Sequence, residues 1–394
     1  MIQPVIISAC RTPMGTLLGD LSTVPATDLG GIVVQEAVRR SNLPSHQVDE
    51  VIMGNILSAG LGQAPARQAA LRAGLTSDVA ALTINKMCGS GLKAVMLAAQ
   101  AVITADANVV VAGGLESMSR APHLILNQRR GWKFGNQTIL DSMLYDGLTC
   151  AFDGNHMGQQ AEYIAKKFDI SRNEQDQFAY QSQQRAATAI QSGTFEDEIV
   201  PVEVPTRTST KIVSNDQGPR PETTLATLSQ LKPAFEKNGT VTAGNASQIS
   251  DGAAAVVVTS NRVADEQGIT PLARIVAYAT AGVEPKDVFI APVKAIEKVL
   301  DKAGMTVADM DLIEINEAFA AQMIACARPL DLPSEKLNIH GGAIALGHPI
   351  GASGARVLVT LVHAMKQRGA RRGLVSLCLG GGNGVAMIVE TDDD

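Results

Sequence analysis

Apolar positions along the chain alternate between two spacings, one typical of strands and one typical of helices. In the first third, short apolar runs predict strands, and apolar residues three or four positions apart predict helices. The predicted strands cover residues 5–9, 50–57, 81–84 and 108–112, and the predicted helices cover residues 28–40 and the stretch marked by Leu92, Val95, Met96, Ala99, Val102 and Ile103. Strands that alternate with helices in this way are typical of an α/β fold.

The last third of the chain repeats this style. Predicted strands cover residues 272–278, 310–315, 374–377 and 385–389, and predicted helices cover residues 292–303 and the stretch marked by Val357, Leu358, Leu361, Val362 and Met365. In both the first and the last third, a Ser-Gly pair opens a helix that is followed by a strand and a Gly-Gly pair. These are Ser90-Gly91 with Gly113-Gly114, and Ser353-Gly354 with Gly380-Gly381. The parallel predicts a duplicated α/β half, and two ordinary βαβ units are the alternative.

The middle of the chain is polar and rich in turns, with one predicted helix over residues 172–192. It reads as an insertion that covers one face of the sheets and carries specificity, as inserted loops usually do. A chain of 394 residues is also long for a single core. We therefore predict three parts: an N-terminal half-domain of residues 1–118 and 249–268, a loop domain of residues 119–248, and a C-terminal half-domain of residues 269–394.

Composition narrows the classes of partner. Hydrophobic residues make up 45% of the chain and charged residues only 18%, where about 25% is usual, so we expect surface that is buried between subunits. The net charge of −6 argues against nucleic acid or anionic lipid as a partner. The sequence has no run of 18 or more apolar residues, so we predict no membrane span. The first residues read as a strand and not as a presequence, so we expect a cytoplasmic protein.

The five cysteines form neither a disulfide framework nor a C-x-x-C pair, which argues against zinc as well. Cys10, Cys150 and Cys326 read as small buried residues. Cys88 differs because it lies between a predicted strand and a helix, in the stretch Cys88-Gly89-Ser90-Gly91. The positive end of a helix dipole favours a thiolate, so Cys88 is a candidate nucleophile, with a buried structural cysteine as the alternative.

The same stretch also permits a different class of site. Residues 89–94, Gly-Ser-Gly-Leu-Lys-Ala, match the G-x-G-x-x-A fingerprint of dinucleotide-binding proteins, and Glu116 follows as a possible ribose ligand. The fingerprint strand usually opens such a unit, whereas this one lies deep in the chain. The dinucleotide interpretation is therefore the weaker hypothesis.

Three further positions carry side chains suited to acyl transfer. His348 lies in a rigid Gly/Pro loop before a helix, which suits a general base better than a structural histidine. Cys378 ends a strand and runs into residues 380–382, three glycines whose backbone N–H groups can hold an oxyanion or form only a flexible turn. Asn316 lies where a strand passes into a predicted helix near Glu317, a place where asparagine is also a favoured N-cap.

Taken together, these stretches resemble the thiolase family, and within it the short-chain biosynthetic acetyl-CoA acetyltransferases. The resemblance extends over essentially the whole chain, through Arg11-Thr12-Pro13, residues 85–92 and 113–119, His156-Met157-Gly158, and residues 243–251, 316–321 and 341–354. It implies a duplicated, five-layered α-β-α-β-α core with an inserted loop domain, assembled as a homotetramer.

The resemblance also implies a reaction, the reversible Claisen condensation of two acetyl-CoA to acetoacetyl-CoA and CoA through an acyl-Cys88 intermediate. His348 would activate Cys88, and Cys378 would remove the α-proton of the second acetyl-CoA. Asn316, through a water, and His348 would hold one oxyanion, and the backbone N–H groups of Cys88 and Gly380 would hold the other. The resemblance implies no metal and no bound cofactor, because coenzyme A is substrate and product.

Coenzyme A contacts are implied at ten positions, which are Leu148, His156, Met157, Arg220, Thr227, Leu231, Phe235, Ala243, Ser247 and Phe319. The sequence departs from the family pattern in the loop Val288-Phe289-Ile290-Ala291-Pro292, where Met-Gly-any-Gly-Pro is usual, and at Asn383, where Met or Gln is common. These departures leave the substrate open, and one alternative is a thiolase that cleaves longer or branched 3-ketoacyl-CoA. A separate alternative is a CoA-binding protein that has the fold without the activity.

Overall fold

The structure, a computed structural model, describes residues 2–391, and one large mixed sheet with helices on both faces runs through them. Its strands and those of two small hairpins are β1 (Pro4–Arg11), β2 (Gly15–Thr16), β3 (Glu50–Gly54), β4 (Ala80–Ile84), β5 (Val109–Ser117), β6 (His123–Leu124), β7 (Leu140–Asp141), β8 (Val202–Pro205), β9 (Thr210–Val213), β10 (Ser250–Ser260), β11 (Ala273–Gly282), β12 (Leu312–Ile315), β13 (Arg372–Leu379) and β14 (Asn383–Glu390). The helices are α1 (Ala26–Arg40), α2 (Pro65–Arg72), α3 (Ser90–Thr104), α4 (Met157–Lys167), α5 (Arg172–Gln191), α6 (Leu225–Ser229), α7 (Asn261–Glu266), α8 (Ala291–Ala303), α9 (Ala320–Leu330), α10 (Ala343–Leu346) and α11 (Ser353–Arg368).

The strand order shows that the two halves of the chain repeat one pattern. The sheet runs β12-β13-β14-β11-β1-β10-β5-β3-β4, with β2 beside β10. On one side β1, β10 and β5 are successive antiparallel neighbours, and β3 is parallel to β5. On the other side β11, β14 and β13 are successive antiparallel neighbours, and β12 is parallel to β13. This repeat confirms the predicted duplication.

The buried residues form three main cores, which together fill the space between five layers. The central core packs α3 and α11 between the two parts of the sheet, the second lies under α1 and α2, and the third lies under α8. Close contacts between α3 and α11 require glycine: a Cβ on Gly91 would lie 2.6 Å from the nitrogen of Ala355, and one on Gly354 would lie 2.4 Å from that of Leu92. The layers confirm the predicted α-β-α-β-α fold.

One stretch of the described chain, Met87–Thr104, is long and apolar enough to cross a membrane, with a mean hydropathy of 1.4. Most of this stretch forms α3, and 56% of it is buried inside the protein. Its buried apolar residues belong to the central core. Packing within the protein therefore accounts for its hydropathy.

The middle of the chain forms the small hairpins β6–β7 and β8–β9 together with α4, α5 and α6. The helix predicted over residues 172–192 is confirmed as α5. The helix α4 was not predicted; it begins at a cap in which His156 Nδ1 accepts from the backbone N–H of Gly158 at 3.0 Å. The proposed domain boundaries after residues 118, 248 and 268 stay predictions.

Some predicted boundaries were wrong. The strands expected over residues 108–112 and 272–278 continue to Ser117 and Gly282. The strand expected over residues 50–57 ends at Gly54, because the N–H groups of Ile56 and Leu57 donate to the Glu116 carboxylate. The helix expected near Glu317 begins only at Ala320. Asn316 is therefore not its N-cap.

Candidate active site

A tight turn between β4 and α3 presents Cys88. Met87, just before it, has a positive φ of 45°, an uncommon conformation that turns the chain sharply. The Ser90 hydroxyl stabilises this turn, since it accepts from the N–H of Lys86 and donates to the carbonyl of Met87, both at 2.7 Å. A Cβ on Gly89 would lie 2.4 Å from Leu379 Cδ2, so glycine lets the turn approach β13.

His348 is held by a loop that only glycine can form. Gly347 has a φ of +112°, and a Cβ there would lie 2.3 Å from Ser250 Oγ. The N–H of His348 donates to the carbonyl of Gln248 at 3.0 Å. The loop is thereby fixed beside the start of β10, in the other half of the fold.

The hydrogen bonds of the His348 ring define its tautomer. Ser353 Oγ donates its single proton to the carbonyl of Pro349 at 2.8 Å and lies 2.6 Å from His348 Nδ1. With the Ser353 proton on the Pro349 carbonyl, Nδ1 carries the ring proton and donates it to Ser353, and Nε2 keeps a lone pair, 3.5 Å from Asn316 Nδ2. Burial, helped by the positive charge of Arg356, lowers the pKa of His348 to about 3. The ring is thus a neutral imidazole.

Asn316 is fully buried beside this ring. Its backbone N–H donates to the carbonyl of Ser376 at 3.0 Å, which ties it to β13. Its Oδ1 has no hydrogen-bond partner among residues 2–391. A buried amide oxygen of this kind is costly unless something donates to it, so the side chain retains an acceptor for substrate or solvent.

Both cysteines of the site are neutral thiols at rest. Burial raises the pKa of Cys88 to about 11, although the N–H groups of Gly380 and of Cys88 itself oppose this by hydrogen bonding to the sulfur. Desolvation of the thiolate therefore outweighs the stabilisation that the positive end of the helix dipole offers. Burial also raises the pKa of Cys378 well above its ordinary value, and the charges of Cys88 and Cys326 raise it further. A base is needed to activate either sulfur.

One cavity of about 570 Å³ brings the predicted catalytic groups together, since Cys88, His348, Cys378 and Gly380 all line it. Asn316 does not line the cavity and reaches it through His348. Most of the predicted coenzyme A positions line the same cavity, namely Leu148, His156, Met157, Arg220, Phe235, Ala243, Ser247 and Phe319. Thr227 and Leu231 line a neighbouring cavity of about 240 Å³, which shares Arg220 and Ala243 with the first.

The residues of the cavity suit a long ligand with an anionic end. The ring of His156 stacks on that of Phe235, with centroids 4.9 Å apart and planes 18° apart. Arg220 is exposed, and its guanidinium pairs with no carboxylate in the part of the chain that the structure describes. An unpaired guanidinium is a good partner for phosphate, and the apolar rings suit an aliphatic arm.

Two serines that hold the catalytic side chains were not predicted as site residues. Ser90 shapes the turn of Cys88, and Ser353 orients His348. The signal was in the sequence, because both belong to the Ser-Gly pairs that mark the duplication. Val288 and Phe289, from the loop that departs from the family pattern, are buried and line the cavity.

The structure speaks against the dinucleotide alternative. Glu116 lies inside β5, is fully buried and accepts hydrogen bonds from backbone N–H groups with both carboxylate oxygens, so it cannot reach a ribose.

Within residues 2–391, no three His, Cys, Asp or Glu side chains cluster in a way that could hold a metal ion.

Comparisons with known proteins agree with this geometry. The family model "Thiolase, N-terminal domain" matches residues 4–262, and "Thiolase, C-terminal domain" matches residues 269–391. The chain is 54% identical over 387 residues to an acetyl-CoA acetyltransferase of Escherichia coli (strain K12), which covers 98% of each chain. It is 52% identical over 391 residues to one of Cupriavidus necator, which covers 99% of this chain and 100% of the relative.

A solved structure is similar over the same extent. The crystal structure of the Bacillus anthracis acetyl-CoA acetyltransferase superposes with a TM-score of 0.97 at 44% identity, and the match covers 99% of each chain. Sequence motifs, layered fold and cavity therefore agree with the relatives over nearly the whole length. The chain belongs to the thiolase family.

Proposed function

We propose that this protein is an acetyl-CoA C-acetyltransferase that condenses two acetyl-CoA to acetoacetyl-CoA and CoA, reversibly. The observation that carries the proposal is the single cavity in which Cys88, His348, Cys378 and Gly380 meet the residues suited to coenzyme A. Relatives named acetyl-CoA acetyltransferase, at 51–54% identity over nearly the full length, support the same reaction.

The first half of the reaction acetylates Cys88. His348 Nε2, which has a free lone pair, takes the proton of the Cys88 thiol, and the sulfur attacks the carbonyl carbon of acetyl-CoA. A new carbon–sulfur bond forms as the bond to the CoA sulfur breaks, and the departing thiolate takes a proton from Cys378. The N–H groups of Cys88 and Gly380 hold the carbonyl oxygen. Such a donor is worth about 10²–10³ in rate.

The second half forms the carbon–carbon bond. The Cys378 thiolate removes an α-proton from the second acetyl-CoA. Its raised pKa makes this thiolate a strong base. His348, together with Asn316 acting through a water, holds the enolate oxygen, and the carbanion attacks the acetyl group on Cys88. The carbon–carbon bond forms, the bond to the Cys88 sulfur breaks, and His348 returns its proton to that sulfur.

The acyl end of the cavity favours a short substrate. Val288 and Phe289 stand where the family pattern has Met and Gly, and both are buried in the same apolar cluster as Cys378. Phe289 adds a bulky ring there in place of a glycine. This supports acetyl transfer over the alternative of cleaving longer or branched 3-ketoacyl-CoA.

Assembly as a homotetramer is part of the proposal. The low charge content and the exposed apolar side chains Leu82, Ile103, Trp132 and Phe134 support it. Leu82 lies on β4, whose outer edge is unpaired in the described sheet, a surface that proteins usually cover. Light scattering should give the mass of four chains, and the mass of one chain would refute it.

A cytoplasmic location is proposed as well. All five cysteines are free, which suits a reducing compartment. Cell fractionation of the source organism tests it, and recovery of the enzyme outside the cytosol would contradict it.

Mass spectrometry of the protein after incubation with acetyl-CoA tests the reaction. We expect one added acetyl group on the peptide that contains Cys88, and formation of acetoacetyl-CoA on longer incubation. The variant Cys88→Ser should lose the label and turnover, whereas Cys10→Ser, which alters a buried thiol under α1, should keep both. Full turnover by the Cys88→Ser variant would refute the proposal.

A further inference from the structure

Glu116 is a fully buried carboxylate between the two halves of the fold. Its oxygens accept four hydrogen bonds. Oε1 accepts from Asn55 Nδ2 at 2.8 Å and from the N–H of Leu57 at 3.2 Å, and Oε2 accepts from the N–H groups of Ile56 and Gly351, both at 3.0 Å. All four partners are donors, so the site fits a carboxylate that carries its charge.

The bond from Gly351 joins the two halves. Gly351 follows His348 in the loop before α11, whereas Glu116 and residues 55–57 belong to the other half. The loop has no room for side chains at this contact. A Cβ on Gly351 would lie 2.7 Å from Glu116 Oε2, and a Cβ on Gly114 would lie 2.1 Å from the Gly351 carbonyl oxygen. The loop that carries the base thus rests on the backbone of the half that carries the nucleophile.

The bonded segments also form the wall of the cavity. Ile56, Leu57, Met118 and Ile350 make one buried cluster, and Cys88 packs against it. Met118 and Ile350 line the cavity together with Cys88. The Glu116 carboxylate therefore lies behind this wall of the cavity. There it accepts hydrogen bonds from residues 55–57, on the side of Cys88, and from the loop that carries His348.

We propose that Glu116 is a positioning residue for acyl transfer, whose charged carboxylate fixes the His348 loop against the half of the fold that carries Cys88. The inference rests on the proposed function, since acetyl transfer to Cys88 is the step that Glu116 serves. Hydrogen bonds to a charged acceptor are about twice as strong as neutral ones. A misplacement of about 1 Å between reacting groups can lower a rate about 100-fold.

The variant Glu116→Gln tests this proposal. Glutamine keeps the shape but turns an –NH₂ group towards two N–H donors, so those bonds are lost. Burial raises the pKa of Glu116 to about 7, opposed by the N–H groups of Ile56, Leu57 and Gly351, so the rates are compared well above that pH. We expect acetylation of Cys88, followed by rapid quench, to slow about 10- to 100-fold, with the Kd for CoA little changed. Glu116→Asp, which keeps the charge, should recover part of the rate.

Glu162→Gln is the matched control. Glu162 is also fully buried and accepts from the N–H groups of Thr240 at 2.9 Å and Val241 at 2.8 Å, away from the His348 loop. It should lower the melting temperature but keep the acetylation rate. Wild-type acetylation in Glu116→Gln, or an equal loss in Glu162→Gln, overturns the proposal.

The variant Glu116→Asp decides the question if Glu116→Gln does not fold. Acetylation of the Asp protein at the wild-type rate overturns the proposal, and a reduced rate with normal CoA binding supports it. A wild-type protein that never acetylates Cys88 contradicts the proposed function itself. The inference falls with it, and that failure is distinguishable because no variant is needed to observe it.

Discussion

The ring of Phe289 stands edge-on to the ring of Phe319, with centroids 5.2 Å apart and planes at 65°. Both rings line the cavity and belong to the buried cluster that contains Cys378. The carbonyl of Phe289 accepts from the Cys326 thiol at 3.1 Å, which holds the loop in place. The pair therefore bounds the cavity on the side of the second cysteine.

Replacing Phe289 by Ala should widen the substrate range. The space released lies beside Cys378, so kcat/KM for 3-ketohexanoyl-CoA should rise relative to acetoacetyl-CoA by about 10-fold or more, since one methylene in a pocket is worth about 10- to 200-fold. The change should also cost about 3–5 kcal/mol of stability. Phe195→Ala is the control, because Phe195 is buried against His340 away from the cavity. An unchanged ratio in Phe289→Ala would refute the assignment.

Ser353→Ala should slow the enzyme without weakening CoA binding. The variant leaves the N–H of His348 Nδ1 without its acceptor, and an unpaired buried donor costs about 1–3 kcal/mol. The tautomer with a lone pair on Nε2 is then less favoured. We expect kcat to fall about 10- to 100-fold, with KM for acetyl-CoA within about twofold. Steady-state kinetics measure both. Ser8→Ala, which removes a buried hydroxyl bonded to the Ala37 carbonyl, is the control, and equal rates in the two variants would argue against this role.

The reactivity of the free enzyme should depend on pH in a defined direction. The pKa of Cys88 is raised to about 11, so the thiolate fraction grows as pH rises and is still small at pH 8. Alkylation of Cys88 by iodoacetamide should therefore accelerate about 10-fold per pH unit up to that pKa. Labelling rates followed by peptide mass spectrometry test this. A plateau below pH 8 would show that the thiol is ionised at rest.

The same raised pKa also bears on stability. A thiol that holds its proton more tightly when folded than when unfolded stabilises the fold below the unfolded value of about 9. This contribution is lost as pH rises through about 11. Cys88→Ala should therefore lose less stability than the wild type between those values, as measured by chemical denaturation. Equal losses would mean that the sulfur is not desolvated in the fold.

Charge reversal at Arg220 should weaken binding of the phosphate-bearing substrate only. Arg220 is exposed where the two cavities meet, so Arg220→Glu should raise KM for acetyl-CoA about 10-fold with little effect on kcat. The KM for acetyl-pantetheine, which lacks the nucleotide, should not change. Arg207→Glu, an exposed arginine in the turn between β8 and β9, is the control. Similar losses on both substrates would place the effect elsewhere than at the phosphates.

Most of the elements could be predicted from the sequence because their signals are local. Apolar spacing located β1, α1, α3, α5 and α8 to within a few residues, and the paired Ser-Gly and Gly-Gly motifs indicated the duplication. Some of the errors lie where a distant group binds the backbone. Residues 55–57 leave β3 because of Glu116. The pairing with β13 continues to Asn316, whose N–H donates to the Ser376 carbonyl, and the helix begins only at Ala320.

The sequence by itself determined which chemical groups the site contains. They are a pair of cysteines and a histidine near glycines that keep the backbone close, and an asparagine at the end of a strand. Only the tertiary structure decided their state. The tautomer of His348 depends on Ser353, and the raised pKa of Cys88 depends on how many atoms exclude water from its sulfur. Desolvation and hydrogen-bond partners are set by residues far apart in the chain, so local pattern does not encode them.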